Sequence, residues 1–304
     1  MGNDHSHGSG VQHRSRLAVV LVLSLTVLIV EAIAAWITGS LALLADAGHM
    51  LGDTFGVAMA LIAISVAQVG GRPGTRRSFG YHRTEILAAA LNGLILLGLS
   101  VWVAVNAIRR FGDAPEIDGS LMIAAGAVGL VINVIGLLLL RDGAKESLNV
   151  RGAYLEVVGD ALGSVAVIVA AILITTLDWY LADPIASLLI AAMIVPRAIS
   201  LLRDVAEVLL ESTPKDVDLK ELRAHIKGMD GVKDVHELHV WTITSGMPVM
   251  SAHVVVEDSV THMGQAEVVL DRLRSCLADH FDVEHSTFQI EPDGHVDKEQ
   301  HLHH

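Results

Sequence analysis

Six apolar segments, each about as long as a membrane-spanning helix, constrain the fold of this chain more than any other feature. A helix needs about 20 apolar residues to cross the hydrocarbon core of a bilayer. Runs of roughly this length fill much of the first two thirds of the sequence, at 17–38, 41–69, 84–108, 121–140, 153–177 and 184–202. Because 52% of all residues are hydrophobic, the chain is also too apolar for an ordinary soluble domain. The sequence therefore predicts an α-helical membrane protein with six transmembrane helices.

Basic residues at the ends of these segments predict the orientation. Ten lysines and arginines lie before the first segment, between the second and third, between the fourth and fifth, or after the sixth, against only Arg109 and Arg110 on the other side. By the positive-inside rule, the side with ten is the cytoplasm. Both termini are then cytoplasmic, and we expect the surrounding lipid to be that of the cell membrane. The first segment lacks a small-residue cleavage site, so we expect a span rather than a signal peptide.

From about residue 205 the composition becomes that of an acidic soluble domain. Residues 205–304 contain eight Lys and Arg against nineteen Asp and Glu, a net charge of −11, which repels nucleic acid and attracts cations. The apolar patterns follow the order αββαβ and predict a small α+β domain with helices on one face of a sheet; the segments are 217–229, 232–243, 248–257, 262–281 and 285–291. The predicted divisions are an N-terminal tail, a transmembrane domain, a cytoplasmic domain and a C-terminal tail, at 1–16, 17–204, 205–292 and 293–304.

Two pairs of ionisable residues lie inside the apolar segments at the same spacing. His49 and Asp53 are four residues apart in the second segment, and Glu156 and Asp160 are four apart in the fifth, so each pair shares one face of its helix. One such residue alone could form a hydrogen bond between helices, but ionisable residues in a membrane usually mark an ion pathway. If the two faces meet, one imidazole and three carboxylates form a four-coordinate site for a divalent metal. Asp46, nearer the end of its segment, is an accessory candidate or a structural residue.

The motifs along the chain resemble those of the cation diffusion facilitator family, and of its zinc-transporting branch in particular. They are GSLALLADAGHMLGD (39–53), FGYHRTEILAAALNG (79–93), NVRGAYLEVVGDALGS (149–164), ADPIAS (182–187), LLESTP (209–214) and VHELHVW (235–241). The resemblance implies a homodimer of six-helix protomers that exports a divalent metal from the cytoplasm in exchange for protons. It implies a cytoplasmic domain of ferredoxin-like fold that binds metal and dimerises. It also implies that His49, Asp53, Glu156 and Asp160 form the transport site.

Glu156 departs from the family pattern, because zinc members usually have histidine at this position. A carboxylate oxygen is harder than an imidazole nitrogen and favours Mn²⁺ relative to Zn²⁺ and Cd²⁺. We expect Zn²⁺ as the transported ion and as a ligand of the cytoplasmic domain, with Mn²⁺, Cd²⁺ or Co²⁺ as alternative substrates. If Glu156 is a direct ligand, Glu156→His should shift the metal preference of transport toward Zn²⁺ and Cd²⁺ and away from Mn²⁺.

A second candidate metal site lies on the predicted strands of the cytoplasmic domain. His236 and His253 can meet across the strand pair, and His285 with Glu291 on the last strand resembles the cytoplasmic ligand set of the family. His239 is predicted to lie outside this site, because an odd number of residues separates it from His236 and places it on the opposite face of an ideal strand.

Other histidines have competing interpretations. His82 and Glu85, three residues apart before the third segment, could bind a metal at the cytoplasmic surface, but the neighbouring arginines disfavour a cation, so we expect a capping and ion-pair role. The histidines of the two tails are compatible with loose metal binding or with plain disordered polarity; they are His5, His7, His13, His295, His301, His303 and His304.

The main alternative of another class is an intramembrane metal-dependent hydrolase, in which the metal keeps one position open for water. The four predicted ligands leave no open position, and the sequence has no HExxH motif. It also lacks the GxxxxGK loop of ATP-driven proteins. A membrane-anchored metal sensor would use the acidic domain but would leave the two intramembrane pairs without a role. The sequence therefore favours a secondary active transporter and not an enzyme.

Overall fold

The computed structural model describes residues 7–69, 79–141, 148–281 and 285–295. They form two compact units, one made of residues up to 62 together with 88–202, the other of 63–87 together with residues from 203 onward. His5, His301, His303 and His304 of the two tails lie outside the described residues.

Each predicted apolar segment lies within one long helix. The helices are α1 (His7–Thr38), α2 (Leu41–Val69), α3 (Arg83–Arg110), α4 (Gly119–Leu140), α5 (Leu148–Leu177) and α6 (Ala182–Leu209). Over the described residues, five of them, α1 and α3 to α6, contain a stretch long and apolar enough to cross a membrane. Large apolar side chains such as Trp36 and Leu138 are exposed on their outer faces, as expected where lipid replaces water. A membrane-spanning helical domain is thus confirmed.

Helix α4 packs closely against its neighbours because glycines line its buried face. Gly126, Gly129 and Gly136 are all buried, and a methyl group added at Gly129 would lie 2.6 Å from Glu31 Oε1 and 2.9 Å from Ser164 Oγ. Small residues let helix backbones approach closely in a bilayer, where lipid is as apolar as leucine. Helices α1 and α5 both pack on α4, and this brings polar groups of α1 and α5 close together.

The start of α2 is fixed by a carboxylate from α6. Asp183, which is fully buried, accepts hydrogen bonds from Ser40 Oγ (2.5 Å) and from the backbone N–H groups of Leu41 (3.0 Å) and Ala42 (3.1 Å). Arg110 at the end of α3 lies 3.4 Å from the same carboxylate and donates to the carbonyl of Gly39 over 2.9 Å. The first N–H groups of a helix have no partner within it. Ser40 Oγ accepts from the N–H of Leu43 over 3.1 Å, and Asp183 accepts from the N–H groups of Leu41 and Ala42. This gives the ADPIAS motif a structural role.

Two other helices begin at an aspartate cap from their own chain segment. Asp118 accepts hydrogen bonds from the Ser120 hydroxyl and from the backbone N–H groups of Ser120 and Leu121. The Ser120 hydroxyl and these N–H groups hold the pKa of Asp118 below its usual value, because they stabilise the ionised form. Asp218 caps the short helix α7 (Leu219–Lys227) in the same way.

The C-terminal domain confirms the predicted order αββαβ. After α7 come β1 (Val232–Thr242), β2 (Pro248–Val256), α8 (Met263–Phe281) and β3 (His285–Glu291). The sheet order is β1-β2-β3, with β1 antiparallel and β3 parallel to β2. Leu222 and Ile226 of α7 and Leu273 of α8 pack with Met250 and Val254 of β2 in one core. Both helices therefore cover one face of the sheet, and the opposite face carries His236 and His253.

Candidate metal centres

His49, Asp53 and Asp160 converge within the membrane domain. The His49 Nε2 atom lies 3.8 Å from Asp53 Oδ2 and 3.7 Å from Asp160 Oδ1, and one ligand atom from each residue lies within 4.8 Å of the other two. His49 and Asp160 are buried and Asp53 is half-buried. Among the described residues, Asp53 Oδ2 and Asp160 Oδ1 have no hydrogen-bond donor. Buried charges are normally paired or bound to a metal, so these three side chains can hold one divalent cation.

Glu156, the fourth predicted ligand, is bound by Arg197 of α6. Arg197 Nη2 donates to Glu156 Oε1, and Arg197 Nη1 lies 3.6 Å from Asp53 Oδ2. The Glu156 side chain is 44% exposed, whereas that of Asp160 is 7% exposed. Within the described residues, the group of three converging ligand atoms does not include Glu156. The structure thus brings three of the four predicted ligands together and connects the fourth to Asp53 through a guanidinium.

Asp46, the accessory candidate, is buried, and so is Glu31 of α1. Among the described residues, Asp46 Oδ2 and both oxygens of Glu31 have no hydrogen-bond partner. Buried carboxyl groups without a partner are costly in a membrane and usually mark a functional site. Asp46 therefore stays an accessory candidate, and Glu31 joins it.

His236, His253 and Glu291 form a second candidate metal centre in the C-terminal domain. The two histidines are directly opposite each other on β1 and β2, with ring centroids 5.0 Å apart. Glu291 Oε2 lies 3.0 Å from His236 Nε2, and Glu291 Oε1 lies 2.7 Å from His253 Nδ1. Gln289 donates to Glu291 Oε1 over 2.7 Å and orients the carboxylate. Two imidazoles and one carboxylate are a ligand set that suits zinc.

His285 lies apart from this cluster in the structure. It is exposed and stands opposite Val249 at the start of β3, whereas Glu291, six residues later, stands opposite Val255 at the other end. At about 3.3 Å per residue, the two ends are about 20 Å apart. A β-strand cannot bring both of its ends to one ion, so within one chain the cluster consists of His236, His253 and Glu291.

A β-bulge in β1 places His239 on the same face of the sheet as His236, although His239 still lies outside the cluster. Glu237 has a positive φ of 47°, and the register of β1 shifts between His236 and His239. Val235 and Leu238 are consequently both buried in the core, and His239 shares the outer face with His236, contrary to the ideal-strand prediction. His239 is nevertheless exposed and interacts with Glu237 Oε2 at 3.0 Å.

His82 and Glu85 form no metal-ligand group within the described residues. The His82 carbonyl accepts from the backbone N–H of Glu85, and the Glu85 carboxylate accepts from the Thr244 hydroxyl over 2.5 Å. The adjacent Arg83 forms an ion pair of 2.8 Å with Glu211. This ion pair thus belongs to Arg83, and the capping and ion-pair role of His82 and Glu85 stays a prediction.

Sequence reasoning missed Arg197 and Glu31. Each is the sole Asp, Glu, Lys or Arg in its predicted apolar segment, 184–202 for Arg197 and 17–38 for Glu31. An isolated ionisable residue in a membrane span is by default a functional-site candidate, and that signal was available. The i, i+4 spacing identifies only partners on the same helix, whereas the neighbours of Arg197 and Glu31 lie on other helices.

The chain matches two family descriptions in succession. The cation efflux transmembrane domain matches residues 17–210, and the cytoplasmic domain of cation efflux proteins matches residues 214–293. Because the first match alone covers more than half of the chain, the protein belongs to the cation diffusion facilitator family, whose members are cation efflux transporters and not enzymes. The resemblance of the motifs is confirmed, and the hydrolase alternative is set aside.

Individual relatives match over nearly the full length. The chain is 42% identical to the metal cation efflux system protein CzcD of Cupriavidus metallidurans, over 99% of this chain and 95% of that protein. It is 37% identical to the cadmium, cobalt and zinc/H(+)-K(+) antiporter of Bacillus subtilis, over 97% and 93%, and 37% identical to the zinc transporter ZitB of Escherichia coli, over 100% and 99%. A solved structure of the metal-bound C-terminal domain of the CzcD transporter is 41% identical, covers 25% of this chain and 99% of that chain, and has a TM-score of 0.23.

Proposed function

We propose that the protein exports a divalent metal cation, with Zn²⁺ as the principal substrate, in exchange for protons. The observation that carries this proposal is the convergence of His49, Asp53 and Asp160 between helices α2 and α5 of the membrane domain. Transporters commonly bind their ions partway along the helices and expose the site to each side in turn. Secondary transport needs no nucleotide site, in agreement with the missing phosphate-binding loop.

The chemistry of the ligands supports zinc among the divalent metals. One imidazole and two carboxylates suit a tetrahedral Zn²⁺ ion, and relatives that match this chain are named for zinc, cadmium and cobalt. Mn²⁺ is the alternative substrate, because carboxylate oxygens are also ligands that it prefers. Competition between Zn²⁺ and Mn²⁺ for uptake decides between them.

Proton exchange follows from competition for the same lone pairs. Histidine and carboxylate ligands must be deprotonated to bind a metal, so metal binding and proton binding oppose each other at one site. One relative is named a cadmium, cobalt and zinc/H(+)-K(+) antiporter, and this name supports an exchange of metal for protons.

We expect a pH gradient to drive Zn²⁺ uptake by proteoliposomes that contain only the purified protein and an internal pH dye. With an acidic lumen, zinc should accumulate and the lumen should become more alkaline as protons leave. Collapse of the gradient with a protonophore serves as the control. Zinc flux of equal size with the gradient collapsed or reversed would indicate a passive channel and would contradict the exchange.

The proposed topology has six spans, both termini in the cytoplasm and a location in the cell membrane. The six long helices and the bias of basic residues support it. The proposed domain limits are 17–204 for the transmembrane part and 205–292 for a cytoplasmic domain of ferredoxin-like type, whose three-stranded sheet and two helices are compatible with that fold.

The C-terminal domain is proposed to bind Zn²⁺ and to contribute to a homodimer. Its metal ligands are His236, His253 and Glu291. His285, exposed at the far end of β3, remains available to a ligand set completed from a second copy. An ion that binds only the folded state stabilises it by mass action.

We expect Zn²⁺ to raise the melting temperature of the isolated fragment 205–304. At a zinc concentration of 100 times Kd the gain is about 2.7 kcal/mol, which corresponds to roughly 10–20 °C for a domain of this size. His253→Ala should remove the zinc-dependent rise. His239→Ala, on the same sheet face but outside the cluster, is the matched control and should keep it; equal loss in both variants would contradict the assignment.

A further inference from the structure

We propose that Arg197 is a built-in counter-ion of the transport site, which neutralises Glu156 so that a divalent cation is bound by His49, Asp53 and Asp160. The inference rests on the proposed metal transport and assigns to Arg197 a role in metal affinity and release. It differs from the sequence-based expectation, in which Glu156 is itself a metal ligand and sets the choice of metal.

The contacts of Arg197 carry the inference. Its Nη2 atom donates to the carboxylate of Glu156 on α5, and its Nη1 atom lies 3.6 Å from Asp53 Oδ2 on α2. Arginine forms a rigid fork of donors that suits two acceptors at once and does not lose its charge. The guanidinium therefore links a carboxylate of the three-residue group to a carboxylate outside it.

The guanidinium balances part of the negative charge of the site. The four predicted ligands include three carboxylates, and Arg197 contributes one positive charge, so together they sum to −2. A divalent cation brings that total to zero. Without Arg197 the same ligands would keep an uncompensated negative charge beside the bound ion, and without Glu156 the guanidinium would compete with the ion for Asp53. Opposite unit charges a few ångströms apart inside a protein interact strongly, so either imbalance should change metal affinity.

The position of Arg197 on its helix fits a movable counter-ion. It follows Pro196, which lies inside α6 and removes one backbone hydrogen bond of that helix. The Arg197 side chain is 42% exposed, compared with 11% for His49. The guanidinium thus contacts the site from its more accessible side, where it can shift between Asp53 and Glu156 as the ion enters or leaves.

The test is a double-mutant cycle on the full-length protein in lipid nanodiscs, with zinc affinity measured by competition against a fluorescent chelator. Glu156→Gln should weaken zinc binding by about 10- to 100-fold, because it leaves the guanidinium to compete for Asp53. Arg197→Gln should tighten binding by about tenfold and lower the maximal transport rate, because release becomes harder. The double variant should return to within about threefold of the unmodified affinity. Arg197→Lys keeps the charge but loses the fork that contacts both carboxylates, so its zinc affinity should lie between that of the unmodified protein and that of Arg197→Gln.

Two outcomes would overturn the inference. A double variant that binds zinc as weakly as Glu156→Gln alone would make Glu156 a direct ligand. A lower melting temperature for Arg197→Gln with unchanged zinc affinity would reduce Arg197 to a packing role. Glu116→Gln and Arg109→Gln, which change exposed residues outside the site, are the matched controls. Zinc flux by the unmodified protein is measured in parallel: its absence with the affinity pattern intact would contradict the proposed transport and not the counter-ion.

Discussion

Asp160→Asn is expected to reduce Zn²⁺ uptake by proteoliposomes by at least about 100-fold. Mutation of a residue that only orients a metal ligand already lowers metal affinity or activity by about 10- to 100-fold, and Asp160 is expected to be a ligand itself. Asp160 is buried, and its Oδ1 lies 3.7 Å from His49 Nε2 without a donor among the described residues. Asparagine has nearly the same size but lacks the charge that a metal requires. The initial rate of zinc uptake and the zinc dissociation constant should both change.

The size-matched exchange makes a folding defect distinguishable from a lost ligand. Asp160→Asn removes one uncompensated buried charge, so the melting temperature should stay the same or rise. Asp113→Asn, in the exposed turn between α3 and α4, is the control and should transport normally. If Asp160→Asn takes up zinc at half of the unmodified rate or more, Asp160 is not a ligand of the transported metal.

Asp183→Ala is expected to destabilise the membrane domain by about 3–5 kcal/mol, the usual cost of removing one partner of a buried ion pair. The variant leaves the Ser40 hydroxyl and the N–H groups of Leu41 and Ala42 without their acceptor. Arg110 loses its carboxylate partner and keeps the Gly39 carbonyl. The measurement is thermal unfolding of the purified protein in detergent. Asp183→Asn keeps one acceptor oxygen but loses the charge. Its melting temperature should lie between that of the unmodified protein and that of Asp183→Ala.

Asp118→Ala is the matched control for this prediction, because Asp118 caps α4 but is exposed and has no arginine partner among the described residues. Its melting temperature should fall by much less than that of Asp183→Ala. Equal shifts in the two variants would mean that the buried contacts of Asp183 add nothing to an ordinary helix cap.

Element bounds could be predicted from the sequence because they depend on local patterns. The predicted strand 232–243 is observed as β1 (Val232–Thr242) and the predicted strand 285–291 as β3 (His285–Glu291). The meeting of His236 with His253 is predicted as well, but it depends on the bulge. The register at the turn, with Thr242 opposite Pro248, would place Val254 opposite His236 in an unbroken strand, and the register shift between His236 and His239 brings His253 there instead.

The remaining features of the sites depend on non-local geometry. Glu237 takes a positive φ that is uncommon for a non-glycine residue, and the periodicity of β1 gives no warning of the bulge. The partner of Glu156 is Arg197, 41 positions away on another helix, and helical spacing says nothing about such a contact. For this reason Glu156→His has a revised expectation: it should weaken zinc binding by leaving Arg197 unpaired, where a direct ligand would gain preference for zinc.

The cap that Asp183 provides has a consequence for how the protein is made. Asp183 follows the groups that it caps by 141 to 143 residues. A ribosome that adds about 5–20 residues per second reaches it roughly 7–30 s after it has finished the start of α2. Until then the N–H groups of Leu41 and Ala42 must rely on water or lipid headgroups. A nascent chain that ends before residue 183 therefore lacks the finished α1–α2 corner, however well its earlier helices have entered the bilayer.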